Sequence, residues 1–228
     1  MEIQKHWDYQ KQLILPTLDK QNDPGCKAKT SNLDIAVVLG ALHGCAGDGF
    51  FCSRADAILM SAEKLKQSFE VLYPINSVKK DFFGEPVGTA IGRYPEDCYH
   101  GQTASTQAGG WFLANNAFAE MYYNVARAWR KSNVIRVTPF KAVWIKSLIK
   151  DPNFKLHSGE TVFSQDPRFS LIVQAVREAG DEEIRRTRLH MDQNGSMSEQ
   201  FNRNTGFMMS ARDLTWNYAS FLTAYWAR

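Results

Sequence analysis

The chain has 228 residues, 44% of them apolar, and its 27 Lys and Arg stand against 24 Asp and Glu for a net charge of +3. That suits one domain with a sizeable core, while scattered charge argues against a nucleic-acid partner. No 18-residue apolar run exists, so no membrane helix is expected, and the N-terminal MEIQKHWDYQKQ lacks the apolar stretch of a signal peptide. The densest basic cluster, Arg185-Arg186-Thr187-Arg188, follows Asp181-Glu182-Glu183 and reads as a mixed, solvated helix face.

Residues 1–30 read as an irregular lead-in, with Leu13-Ile14-Leu15 broken by Pro16 and turn residues at Asn22-Asp23-Pro24-Gly25. A first helix is predicted from about Leu33 to His43, with Ser31 or Asn32 as N-cap. A second runs from about Arg54 to Leu72, apolar at Ile58, Leu59, Ala62, Leu65, Phe69 and Leu72, and stops before Pro74. Residues 74–110 form a long connection rich in Gly and Pro, of the kind that is functional or disordered in compact domains. From Trp111 to Arg130 the three-and-four spacing of Phe112, Ala117, Phe118, Met121, Tyr122, Val125 and Trp129 predicts the clearest helix. Thr138-Pro139 and Asp166-Pro167 pair a cap with a first-turn proline and open helices to about Lys150 and His190. A last helix is expected from Ser210 or Asp213 to the end, with Ser210-x-x-Asp213 as a variant capping box. Six helices and no convincing strand pair predict an all-α fold, and no fixed repeat period points to a solenoid.

The four cysteines contain no C-x-x-C pair and His43, His100 and His157 are dispersed, so neither a metal site nor a cofactor is expected. Cys45 and Cys52 flank the loop Ala46-Gly47-Asp48-Gly49, either as a small disulfide-closed loop in an oxidising compartment or as two buried thiols. Cys26 and Cys98 have no obvious partner. Asn194-Gly195-Ser196 is a candidate glycosylation sequon in a turn-like context. Three polar or aromatic groups share a placement at helix entrances, where sites tend to be built. Arg93, Glu96 and Asp97 lie in the long connection, Trp111 opens the third helix, and Glu199, Ser210 and Trp216 precede or open the last. On residue type alone, Glu199 fits an ordinary polar loop, Arg93 with Glu96 and Asp97 a local salt-bridge knot, and the two tryptophans core packing. Trp7, Trp129, Trp144 and Trp226 read as packing residues.

The run SMSEQFNRNTG followed by SARDLTWNYASFLTA resembles the C-terminal signature of the fungal glucoamylases, glycoside hydrolase family 15, and GRYPED resembles a further segment of that family. The similarity covers nearly the whole chain, most specifically residues 34–73, 88–130 and 194–224. It implies an (α/α)6 barrel of the six-hairpin glycosidase type, about half of which lies here, with residues 1–228 as the C-terminal part of the catalytic domain. The resemblance implies Glu199 as general base, Arg93 as a sugar contact with Glu96 and Asp97 beside it, and Trp111, Trp216 and Ser210 around the pocket. It also favours a Cys45–Cys52 bond.

The reaction implied is inverting hydrolysis of terminal α-1,4-linked glucose from starch, glycogen or maltooligosaccharides. In that chemistry an acid protonates the glycosidic oxygen while a second carboxylate, about 6.5–9.5 Å away, activates water. The family's general acid lies in an upstream segment that is not found here. The expected partners are therefore an α-glucan substrate and a missing N-terminal half of the domain, with the chain alone inactive. A glucan-binding remnant and a non-functional truncated product are the alternatives. Half a barrel is also expected to expose apolar helix faces. The family implies a secreted or vacuolar location. Two departures stand out: Asn202 replaces the Asp of many relatives, and Gly109-Gly110 replaces Asn-Pro, which predicts a looser rim.

Overall fold

The computed structural model describes residues 2–18, 28–47, 51–101 and 107–228. Among them are six helices: α1 (Ala36–Gly44), α2 (Asp56–Leu72), α3 (Phe112–Ser132), α4 (Pro139–Ile149), α5 (Pro167–His190) and α6 (Thr215–Ala227). The third is the axis of the fold. Its buried residues include Phe112, Ala114, Ala117, Phe118, Met121, Tyr122, Val125 and Trp129, and also Asn115, Asn116, Ala119 and Tyr123 on other faces. A helix buried on most sides must be enclosed by others, and α3 packs chiefly on α5 and α6, with α1 also against it. Trp144 stacks on Tyr122 at 6.1 Å, so both Trp129 and Trp144 are packing residues as expected.

The two proline-opened helices start where the sequence places them. Thr138 accepts from the Lys141 N–H at 3.2 Å and Asp166 from that of Arg168 at 2.9 Å, supplying acceptors to otherwise unpaired first-turn donors. The first helix starts later than predicted, at Ala36. Its lead-in is tied down by backbone instead, the Ile35 N–H donating to the Arg93 carbonyl at 2.9 Å.

Short antiparallel strands correct the strand-free expectation: β1 (Trp7–Asp8) with β2 (Leu13–Ile14), β4 (Val134–Arg136) with β5 (Thr161–Phe163), and a three-stranded sheet. That sheet has the order β3 (Gly110–Trp111), β6 (Ser198–Phe201), β7 (Met208–Arg212). Strands of two to five residues are too short to display a period of two. The lead-in is accordingly not wholly irregular: Leu13 and Ile14 are buried, and the Ile14 N–H donates to Ser61 Oγ of α2 at 2.8 Å.

The charged stretch of α5 is not a solvated face. Arg186 is almost fully buried, donating from Nε to the Gly88 carbonyl and from Nη2 to the Val78 carbonyl, both at 2.7 Å. Glu183, also buried, accepts from Asn115 Nδ2 at 2.7 Å and from the Thr89 N–H at 3.2 Å. These contacts clamp residues 78–89 onto α5, and a Cβ at 88 would displace the Glu183 carboxyl group, whose carbon it would approach to 2.3 Å. Another departure is α6. It carries no charged residue between Thr215 and Ala227, yet Tyr225 is 64% and Trp226 71% exposed. Trp226 is therefore not a packing residue, while the expected apolar helix face is present.

Burial gives two groups opposite pH signatures. Burial is the main cause that lowers His190 from the usual 6.5 to about 3, so its neutral form favours the fold and stability falls as pH drops from 6.5 towards 3. Burial lifts Glu183 from 4.5 to about 7 against the nearby Lys66 charge, so its contribution is complete below 4.5 and is lost as pH rises through 7. Thermal melts from pH 3 to 8 check both, a tenfold change in proton affinity being worth at most about 1.4 kcal/mol. His190→Phe is expected to flatten the acid side of the stability curve and Glu183→Gln the side between 4.5 and 7. Curves parallel to the parent's would overturn the assignment.

Candidate active site

Glu199 lies in strand β6, not in the polar loop its neighbours suggest, and is 7% exposed. Its surroundings follow from an irregularity in the hairpin. The register passes from Ser198↔Arg212 to Gln200↔Met209, so Glu199 faces two residues, Ser210 and Ala211. Such a bulge re-aims a side chain. Ser210 takes a left-handed φ of +74° and its hydroxyl donates to the Glu199 carboxylate. Gly101 makes room for this arrangement: at its φ of +99° a Cβ would sit 1.8 Å from Ser210 Oγ.

Ser210 and Asp213 thus do not form a capping box. Asp213 accepts from Ser196 Oγ at 2.7 Å and from the Tyr218 hydroxyl, while its N–H donates to the Met197 carbonyl at 2.9 Å. The helix begins beyond them at Thr215. Asn194, the sequon residue, is exposed on the preceding turn and accepts from the Ser196 N–H at 3.0 Å.

Strand β3 joins Glu199 to the entrance of α3. Trp111 pairs with Gln200 and Gly110 with Phe201. Gln200 is fully buried. It accepts the Gly109 N–H at 2.8 Å and donates to the Tyr99 carbonyl at 2.9 Å, pinning both ends of the 99–109 segment to the strand that bears Glu199. The glycine pair makes this edge tight, not loose: a Cβ at 109 would be 2.2 Å from the Phe201 carbonyl oxygen and one at 110 would be 2.4 Å from the Phe201 ring.

Arg93 packs against Trp111, the strand neighbour of Gln200. Its guanidinium is gripped by Asp97 through Nε at 2.9 Å and Nη2 at 2.8 Å, a bidentate geometry. The guanidinium carbon lies 5.2 Å from the Trp111 ring centre and 5.0 Å from that of Tyr94. Burial works against the Arg93 charge, but Asp97 outweighs it and raises the pKa above the usual value. Glu96 is not part of this group: it accepts from Thr30 Oγ1 at 2.8 Å and from the Ser31 N–H and hydroxyl. Burial opposes its charge too, yet these donors hold its pKa below the usual carboxylate range. The expected knot is therefore an Arg93–Asp97 pair alone, with Glu96 fastening the segment at 30–31.

Trp216 completes the arrangement, its ring centre 5.8 Å from that of Trp111. Trp111 is buried and its Nε1–H has no protein partner. Trp216 is 43% exposed and lines a groove of about 150 Å³ with Leu39, Leu42, Leu113 and Ala117; Arg93 and Glu199 do not line it. The chain thus assembles a carboxylate oriented by one hydroxyl, a fixed cation and two indoles, one with a spare donor. Apolar ring faces beside forked polar groups suit a sugar, whose C–H face stacks while its hydroxyls need partners. Sequence reading missed Gln200, Tyr99 and Gly101. The first sits directly after Glu199, yet nothing in its residue type shows that it turns away to staple a distant segment.

The Cys45–Cys52 disulfide is formed. Cys98 is disulfide-bonded as well, contrary to its apparent lack of a partner; Cys26 lies outside the described residues. Among the described residues, no cluster of three or more His, Cys, Asp or Glu is arranged to hold a metal ion. No described helix is long and apolar enough to cross a membrane.

Residues 3–226 match the family Glycosyl hydrolases family 15. A glucoamylase of Blastobotrys adeninivorans is 34% identical over 226 residues, covering 99% of this chain and 35% of that protein. Glucoamylase 1 of Rhizopus oryzae is 36% identical over 196 residues, 86% of this chain and 31% of that one. The solved structure of Hormoconis resinae glucoamylase superposes with a TM-score of 0.81 at 28% identity, covering 99% of this chain and 36% of the other. The chain therefore spans about a third of the length of these relatives, and its helices form part of an (α/α)6 barrel.

Removing the carboxylate that grips Arg93 tests the site's construction. Asp97→Ala is expected to lower stability by about 1.5–3 kcal/mol, the range for hydrogen bonds to charged groups, and to release the guanidinium from Trp111. Denaturant melts and tryptophan emission check this; an unchanged midpoint with unchanged emission would contradict it.

Proposed function

The chain belongs to glycosyl hydrolases family 15, and from that membership we propose that it carries the base side of a site that releases terminal α-1,4-linked glucose. The substrate is the non-reducing end of starch, glycogen or a maltooligosaccharide. The observation that carries this reading is the Glu199 carboxylate, buried in β6 and oriented by Ser210 across the bulge. Its surroundings agree: Arg93 held by Asp97, the Trp111–Trp216 pair and the unpartnered Trp111 Nε1–H.

The reaction is inverting. Glu199 accepts a proton from water as its oxygen attacks the anomeric carbon, and the glycosidic C–O bond breaks on the opposite face. A carboxylic acid protonates the departing oxygen. We assign that acid to a part of the family's catalytic region which this chain does not match, since the chain spans 35% of the Blastobotrys relative. Arg93 donates to sugar hydroxyls, while Trp216 packs on the ring with the buried Trp111 behind it. The Cys45–Cys52 bond supports an oxidising location, secreted or vacuolar.

A second reading, glucan binding without turnover, is favoured by the fact that Arg93, Trp111 and Trp216 are together here. On that reading maltose quenches tryptophan emission saturably while no glucose appears. The first reading is tested by glucose release from maltotriose, with the chain joined to the remainder of the family's catalytic region. Glu199→Gln is expected to slow release about 10²–10⁴-fold, the usual loss with a general base. A rate equal to the parent's would sink the assignment.

A further inference from the structure

We propose that Asn217, backed by Asn116, is a positioning residue for Glu199; the inference rests on the reading of Glu199 as the base. Both asparagines are fully buried between helices. Asn217 Nδ2 donates to the Ser198 carbonyl at 2.7 Å. That carbonyl belongs to the peptide unit joining Ser198 to Glu199. Because the unit is planar, fixing its oxygen fixes the plane from which the Glu199 side chain departs.

The contact falls where the strand most needs it. Pairing between β6 and β7 shifts between Ser198 and Gln200, so the ladder is interrupted beside Glu199. Asn217 supplies a donor from α6 at that interruption, and Ser198 Oγ holds the Gln200 carbonyl on the far side at 2.5 Å. Asn217 is in turn tied back through the core. Asn116 Nδ2 of α3 donates to the Asn217 carbonyl at 3.3 Å and to Ser220 Oγ at 3.0 Å, and Asn116 Oδ1 accepts from Thr187 Oγ1 of α5 at 2.9 Å. Helices α5 and α3 thus hold, through neutral hydrogen bonds, the turn of α6 from which the Asn217 amide reaches the Ser198 oxygen.

The sense of the Asn217 amide is informative. Its Oδ1 is buried with no protein partner, an unfavourable state for an acceptor. Turning the amide over would set oxygen against the Ser198 oxygen. The fold keeps the donor on the strand and leaves the acceptor alone, which an interior selected for packing alone would resolve with an apolar side chain.

Asn217→Leu keeps the branching and number of heavy atoms, at a larger volume, and removes the donor. In the enzyme containing this chain, kcat on maltotriose is expected to fall about tenfold, equivalent to about 1.4 kcal/mol, with KM within about twofold. Hydrogen exchange should quicken at residues 198–201 and stay unchanged along α3. Tyr225→Phe, on the exposed side of α6, should leave both readouts at parent values. Unchanged kcat and exchange, or exchange rising uniformly across α3, α5 and α6, would overturn the proposal. Should Asn217→Leu fail to fold, Asn217→Ser decides by the same criteria, its hydroxyl being too short to reach. If Glu199→Gln retains the parent rate, the base reading fails. If Glu199→Gln is inactive and Asn217→Leu behaves as the parent, only the present inference fails.

Discussion

The pairing of two residues from β3 with two from β6 holds the site together. Gly110 lies against Phe201 and Trp111 against Gln200, so the entrance of the most enclosed helix is hydrogen-bonded to the strand bearing Glu199. Everything else depends on that seam. Arg93 packs over Trp111 from one side, Trp216 meets it from another, and Gln200 draws Tyr99 and Gly109 onto the strand. The seam closes only because two glycines let backbone approach ring and carbonyl without side chains between them.

The helical frame was largely legible in the sequence. Phe112 to Trp129 repeat at helical spacing, and Thr138-Pro139 and Asp166-Pro167 announce helix starts by side-chain acceptors that the structure retains. What failed were short-range readings of elements whose structure is decided far along the chain. Ser210 and Asp213 look like a cap because of their spacing, but the hydroxyl goes to Glu199 and the carboxylate to Ser196 and Tyr218. The basic run around Arg186 looks solvated because of its neighbours, whereas its guanidinium satisfies carbonyls 98 and 108 residues earlier.

At the candidate site the residue types were readable and the geometry was not. Asp97, Arg93, Trp111 and Trp216 touch one another in turn, while Ser210 meets Glu199 on the neighbouring strand. Glu96, two positions from Tyr94 and adjacent to Asp97, faces the other way and secures Thr30 and Ser31. Sequence proximity does not resolve which of two adjacent carboxylates turns inward. That choice is made by the Arg93 side chain, which leaves room for a single bidentate partner.

The clearances around Gly101, Gly109 and Gly110 bear on how tolerance to substitution should be interpreted in this chain. A saturation map of stability would score these positions as harshly as the helix core, although none of them has a side chain to offer. Intolerance there would record crowding of backbone against Ser210 and Phe201, and ranking residues by sensitivity alone would mistake scaffolding for function.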